Sequence, residues 1–184
     1  MKKLCIILSV ILFLVSFSAC GQKNTESVNV ESRTTSQTPP PDCRTLLTKA
    51  IDAVGGSSGL VVYSQKDGDE VVDEFLLGDL YNSLDVTADG AKIGDIALFQ
   101  PTEQVANEVH ILKPATSGDK DEVKGYLQNR LDRLKTVFVG YAPDQVAIAS
   151  KGKIVEHKGY FLLVVTKDKN DEIINTVKNL IDGK

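Results

Sequence analysis

The stretch Tyr160-Phe161-Leu162-Leu163-Val164-Val165-Thr166 constrains the fold more than any other segment of this chain. Six consecutive apolar residues give a strand that is apolar on both faces, as a central strand is. Residues 153–157, "KIVEH", stand just before it, joined through Lys158-Gly159. Two short strand-like runs separated by two residues ending in Gly form a hairpin signal. The chain therefore contains a sheet, and the rest of the sequence has to build around it.

Residues 93–99, "IGDIALF", and 107–113, "NEVHILK", read as a second pair of strands, linked by "PTEQVA". The clearest helix follows at 119–138. Val123, Leu127, Leu131, Leu134 and Phe138 make one apolar stripe, with Lys124, Gln128, Asp132 and Lys135 on the opposite side. A last helix begins at Asn170, carries Asp171 and Glu172 in its first turn, and stops at Gly183; Ile173, Ile174, Val177, Leu180 and Ile181 form its apolar face. Further upstream, Asp42 is a candidate N-cap for a helix carrying Leu46, Leu47, Ala50, Ile51 and Val54 and ended by Gly55-Gly56. Residues 59–64 suggest a strand and 70–82 a helix with Val72, Leu76 and Leu80 on one face. The expected class is α+β: one antiparallel sheet built from two β-hairpins, each followed by an amphipathic helix (ββαββα). Both one-sided stripes predict helices mainly on one face, with the additional N-terminal helices over an edge or an end.

The N-terminus has a different character. Met1-Lys2-Lys3 precedes 14 apolar-rich residues, 4–17, and the series Ser18-Ala19-Cys20-Gly21. A bilayer-spanning helix needs roughly 20 apolar residues, so this run is too short to cross comfortably. A charged start, a short apolar core and small residues before a break form a secretory signal. The small-small-Cys-Gly series resembles the lipobox of bacterial lipoproteins, although Phe17 stands where such boxes usually carry Leu. That resemblance implies cleavage after Ala19 and a diacylglyceryl anchor on Cys20; a plain signal with an incidental Cys20 is the simpler alternative. Two acyl chains suffice for stable anchoring.

The expected organisation is a signal peptide at 1–19, lipidated Cys20 with a disordered tether to residue 41, and one extracytoplasmic domain at 42–184. The tether, "GQKNTESVNVESRTTSQTPPP", has too few large apolar residues to offset its ordering entropy. A flexible segment of this length averages about 25 Å end to end. Loss of Lys2 and Lys3 lowers the basic count from 21 to 19 against 25 acidic residues, a formal charge of −6. Such a surface is poorly suited to nucleic acid or anionic headgroups. Of three cysteines, Cys5 lies in the signal, Cys20 is the lipidation candidate, and Cys43 alone cannot form an internal disulfide. It reads as a small buried hydrophobe.

Leu80-Tyr81, Ala106-Asn107-Glu108-Val109, the long helix with Leu127, Arg130 and Leu131, and the run from Lys158-Gly159-Tyr160 to Val165 together resemble a family of small Gram-positive, clostridial-type lipoproteins, domain of unknown function 4358. The likeness covers roughly residues 73–181 plus the lipobox. It implies a cell-surface lipoprotein and brings no catalytic residues with it.

The remaining candidates for chemistry each have a plainer reading. "GGSSG" at 55–59 fits G-x-S-x-G, with Ser57 as nucleophile and His157 as base. That motif requires a strand before the serine and a helix after it, and here the order is reversed, so a Gly/Ser loop is expected. His110 and His157 fall in separate strands without the close spacing of a metal pair. Asp67, Asp69, Glu70, Asp73 and Glu74 miss the calcium-loop pattern, with Val72 at the sixth position and Gly78 at the twelfth, and instead suit a helix start. Arg130 and Arg133 flank the long helix's stripe, where charges usually cover a core edge; an anionic ligand or partner is the alternative reading. Tyr126, Tyr141 and Tyr160 either line a groove or pack half-buried. No catalytic, metal or cofactor set is expected. The sequence favours a binding or interaction module with an envelope or membrane-protein partner, over a cell-envelope hydrolase or an accessory solute-binding lipoprotein. The domain is small for a two-lobed receptor.

Overall fold

A computed structural model describes residues 39–55, 61–64, 74–81 and 92–184, with backbone only at 61–64 and 74. The chain divides into two units, Met1–Gln37 and Thr38–Lys184. The first, with Cys20 and most of the tether, lies outside the described residues, as do Ser57 and the acidic residues 67–73.

Five strands form one antiparallel sheet: β1 (Val61–Ser64), β2 (Ile93–Gln100), β3 (Glu108–Pro114), β4 (Lys153–His157) and β5 (Tyr160–Val165). Their order is β1-β2-β3-β5-β4. Each pair is antiparallel, with Val109 opposite Phe99 on one side and Val164 on the other. The β4–β5 turn is the expected two-residue hairpin, with His157 opposite Tyr160. Lys158 (φ 46°) and Gly159 (φ 83°) both adopt left-handed backbone, as a type I′ turn demands. The helices are α1 (Cys43–Ala53), α2 (Glu74–Tyr81), α3 (Lys120–Val137), α4 (Pro143–Ala149) and α5 (Asn170–Ile181). Asp42 caps α1 through its side chain, which accepts from the Thr45 amide at 2.7 Å.

The α+β class, the two hairpins and the helix after each are present. The expectation that the helices lie mainly on one face does not hold. Ile96, Leu98, Leu112, Phe161, Leu163 and Val165 pack with α2, α3 and α4, whereas Ala97, Phe99, Val109, Ile111, Leu162 and Val164 pack with α1 and α5. The arrangement has three layers. The cause is visible in β5, whose six residues are all buried. A strand apolar on both faces needs cover on both, and single-sided helices supply it only if they divide between the faces. Accordingly α1 lies against the sheet face beside α5 and not over an edge. The stripe on α3 is buried as expected, at Val123, Leu127, Leu131, Leu134 and Phe138. Helix α4 is absent from the sequence expectation. At seven residues it is too short to show periodicity, although Pro143 at its start followed by Asp144 is a start signal.

Candidate functional site

Alternation along β3 sends Glu108 and His110 to the same face as α3. Both are buried, at 3% and 0% exposure, in surroundings otherwise apolar. Such groups persist only if they are satisfied. Arg130, one turn before Leu134 on α3, reaches Glu108 with two donors: Nε to Oε2 at 2.8 Å and Nη2 to Oε1. His110 Nε2 lies 3.1 Å from Glu108 Oε2, and its Nδ1 lies 3.0 Å from the Tyr81 hydroxyl. An ionised carboxylate only accepts, so Nε2 carries the proton and Nδ1 accepts from Tyr81. The result is a directed chain: Tyr81 donates to His110, His110 donates to Glu108, and Arg130 clamps the far end.

The protonation states follow from this geometry. Burial pushes the Glu108 carboxyl up, but hydrogen bonds and charge from His110 and Arg130 outweigh it and hold the group at about 2. Burial lowers His110; Glu108 opposes that shift and Arg130 adds to it, so the imidazole is held below its ordinary value. Burial also raises Tyr81 well above the ordinary phenol range. The chain is thus one carboxylate and one guanidinium around a neutral imidazole and a neutral phenol. Tyr81 also stacks on Tyr126, with centroids 5.9 Å apart.

Helix α2, which carries Tyr81, is held by its C-terminal carbonyls. Arg133 donates to the Asp79 carbonyl and, at 3.3 Å, to its side chain, while Asn129 donates to the Tyr81 carbonyl at 3.3 Å. These groups cap an end that would otherwise leave acceptors free. Glu108, Arg130 and Arg133 then line a cleft of about 310 Å³ at the Gln100–Glu108 end of the sheet, with Val137, Phe138 and Tyr141 as its apolar wall. Val137 and Tyr141 are 47% and 61% exposed. A second cleft, of about 300 Å³, opens at the same end of the sheet, where α1 of one face and α4 of the other approach the β5–α5 loop. Val105, in the β2–β3 loop, lines both. That loop is pinned to α4, since Gln145 Oε1 accepts from the Ala106 amide at 2.9 Å.

The structure distributes the sequence candidates unevenly. It brings His110 and Arg130 together and places Arg133 and Tyr141 at the same cleft. His157 pairs with Tyr160 on the opposite face, where its Nε2 meets Asp182 at 2.9 Å, so the two histidines do not meet. Among the described residues no group of three His, Cys, Asp or Glu is placed to hold a metal. Cys43 is buried; its amide donates to Asp95 at 2.9 Å, and burial with the Asp95 charge raises its thiol well above the ordinary range. Tyr160 donates to the Pro41 carbonyl at 2.6 Å and Tyr126 is buried, so both pack and neither opens a groove. Sequence reasoning missed Glu108 and Tyr81 as site residues. The signal available was a carboxylate and an imidazole two apart in an apolar strand, which puts both on one buried face.

A sequence model of the family described as a domain of unknown function (DUF4358) matches residues 81–181. No curated protein and no solved structure matches the chain.

Proposed function

The chain belongs to the DUF4358 family, and from that premise we propose that it is a membrane-anchored extracytoplasmic lipoprotein whose domain binds a protein partner of the envelope or membrane. The anchor rests on the signal ending in Ser18-Ala19-Cys20, with Cys20 lipidated. The binding role rests on one observation: the cleft over Glu108 and Arg130 has a wall of exposed apolar side chains on a floor fixed by buried hydrogen bonds. A floor whose donors and acceptors already satisfy one another presents a fixed shape at little ordering cost on binding. Exposed Tyr141 and Val137 supply the aromatic and apolar contacts that anchor protein interfaces. Glu108 and Arg130 in the floor, and Tyr81 in the hydrogen-bonded chain behind them, are also among the residues carrying the family likeness.

The hydrolase alternative has less support, because His110, the nearest candidate base, is fully buried and bonded at both ring nitrogens. Photo-crosslinking in intact cells tests the reading. A crosslinker installed at position 141 or 137 should capture one discrete protein adduct, while one at Lys124, on the far side of α3, should not. Adducts from position 124 alone, or none from the cleft positions, would count against it.

A further inference from the structure

The second cleft, at the end of the sheet between α1 and α4, has an apolar floor that includes Val54, Phe99, Ile148 and Ile173. Its polar lining is of a different kind from that of the first cleft. Asn107 lines the cleft half-buried; its backbone amide donates to the Val105 carbonyl at 3.0 Å, while its side-chain amide, with two donors and an acceptor, makes no hydrogen bond among the described residues. At the mouth, Lys167 and Asp168 are adjacent in sequence and exposed, and neither forms an ion pair or hydrogen bond among the described residues. Lys169 beside them is different, being held by Glu172 at 2.7 Å.

We infer that this cleft binds a free amino acid with an apolar side chain. The chemistry matches point for point. An amino acid carries an ammonium and a carboxylate on one carbon, and the mouth offers the Asp168 carboxylate and the Lys167 ammonium, neither hydrogen-bonded among the described residues, although the Asp168 charge also acts on neighbouring Lys169. Its side chain requires an apolar recess, which the floor supplies, and Asn107 in the same lining has a side chain that can donate to a carboxylate or accept from an ammonium. Small-ligand sites have this form, an apolar cavity of about 300 Å³ or more with a few placed polar groups. The site is separate from the partner cleft, with Val105 standing between them, and it does not depend on what occupies that cleft.

Calorimetric titration of the full chain in detergent micelles tests the inference, with L-leucine as the probe. Leucine should bind, and three analogues should bind about tenfold or more weakly: glycine lacks the side chain, leucinamide the carboxylate and N-acetylleucine the ammonium. Lys167→Gln and Asp168→Asn should each weaken leucine about tenfold while leaving the thermal melt unchanged, since both side chains are exposed. Lys124→Gln should leave binding unaltered. Absence of leucine binding at about 10 mM, equal binding of leucine and glycine, or indifference to both mouth variants would overturn the inference.

Discussion

Arg130 holds both oxygens of the Glu108 carboxylate, Nε on Oε2 at 2.8 Å and Nη2 on Oε1, with Glu108 buried and Arg130 13% exposed. This pair joins α3 to β3 and forms the floor of the apolar cleft. Removing one partner leaves a buried charge without compensation. Glu108→Ala should therefore destabilise the protein by about 3–5 kcal/mol. Glu108→Leu combined with Arg130→Met removes both charges and should recover part of the loss, the remainder being the His110 Nε2–H left without its acceptor. Urea melts of the single and double variants measure the coupling; additive losses would mean that the pair is not a unit.

The same residues set the acid response. His110 has a folded pKa below its ordinary 6.5, so the unfolded chain takes up its proton first as pH falls. Stability from this group is complete above about pH 6.5 and declines below it, through the folded pKa. Glu108, lowered from 4.5 to about 2, contributes stability above pH 4.5 that is lost as pH falls towards 2, on the order of 3 kcal/mol. Urea midpoints should rise between pH 5 and about 7, and His110→Gln should flatten that slope. An unchanged slope in the variant would place the titrating group elsewhere.

Gly152 tests the packing of the α4–β4 connection. A Cβ at this position would lie 2.5 Å from Leu131 Cδ1, 2.9 Å from Val165 Cγ2 and 3.0 Å from the Ala149 carbonyl oxygen. One methyl group has no room between α3 and β5 unless Leu131, Val165 and the Ala149 backbone shift. Gly152→Ala should cost about 1–3 kcal/mol. A melt equal to wild type would show that the connection does not press on Leu131.

Much of this architecture is legible in the chain. Single-period stripes such as Val123 to Phe138 identify α3 because burial on one face leaves a repeat that tertiary context does not erase. The Lys158-Gly159 turn is legible because few residue pairs suit two left-handed positions. The division of helices between faces is less so: each stripe shows that a helix has one buried side, and nothing in it says which side of the sheet receives it. The bifacial apolar pattern of β5 held that information. The buried polar chain behind the cleft was hidden for a related reason. Tyr81, Glu108, His110 and Arg130 come from α2, β3 and α3, so their association is set by packing and leaves no local motif.

The anchoring of Cys20 is the claim on which the proposed role depends most. Metabolic labelling with a palmitate analogue, followed by separation of membrane and medium, tests it directly. Wild type should incorporate the label and sediment with the membrane, and Cys20→Ala should carry no label and appear as unprocessed precursor or in the medium. Wild type without label, recovered free in the medium, would contradict the account.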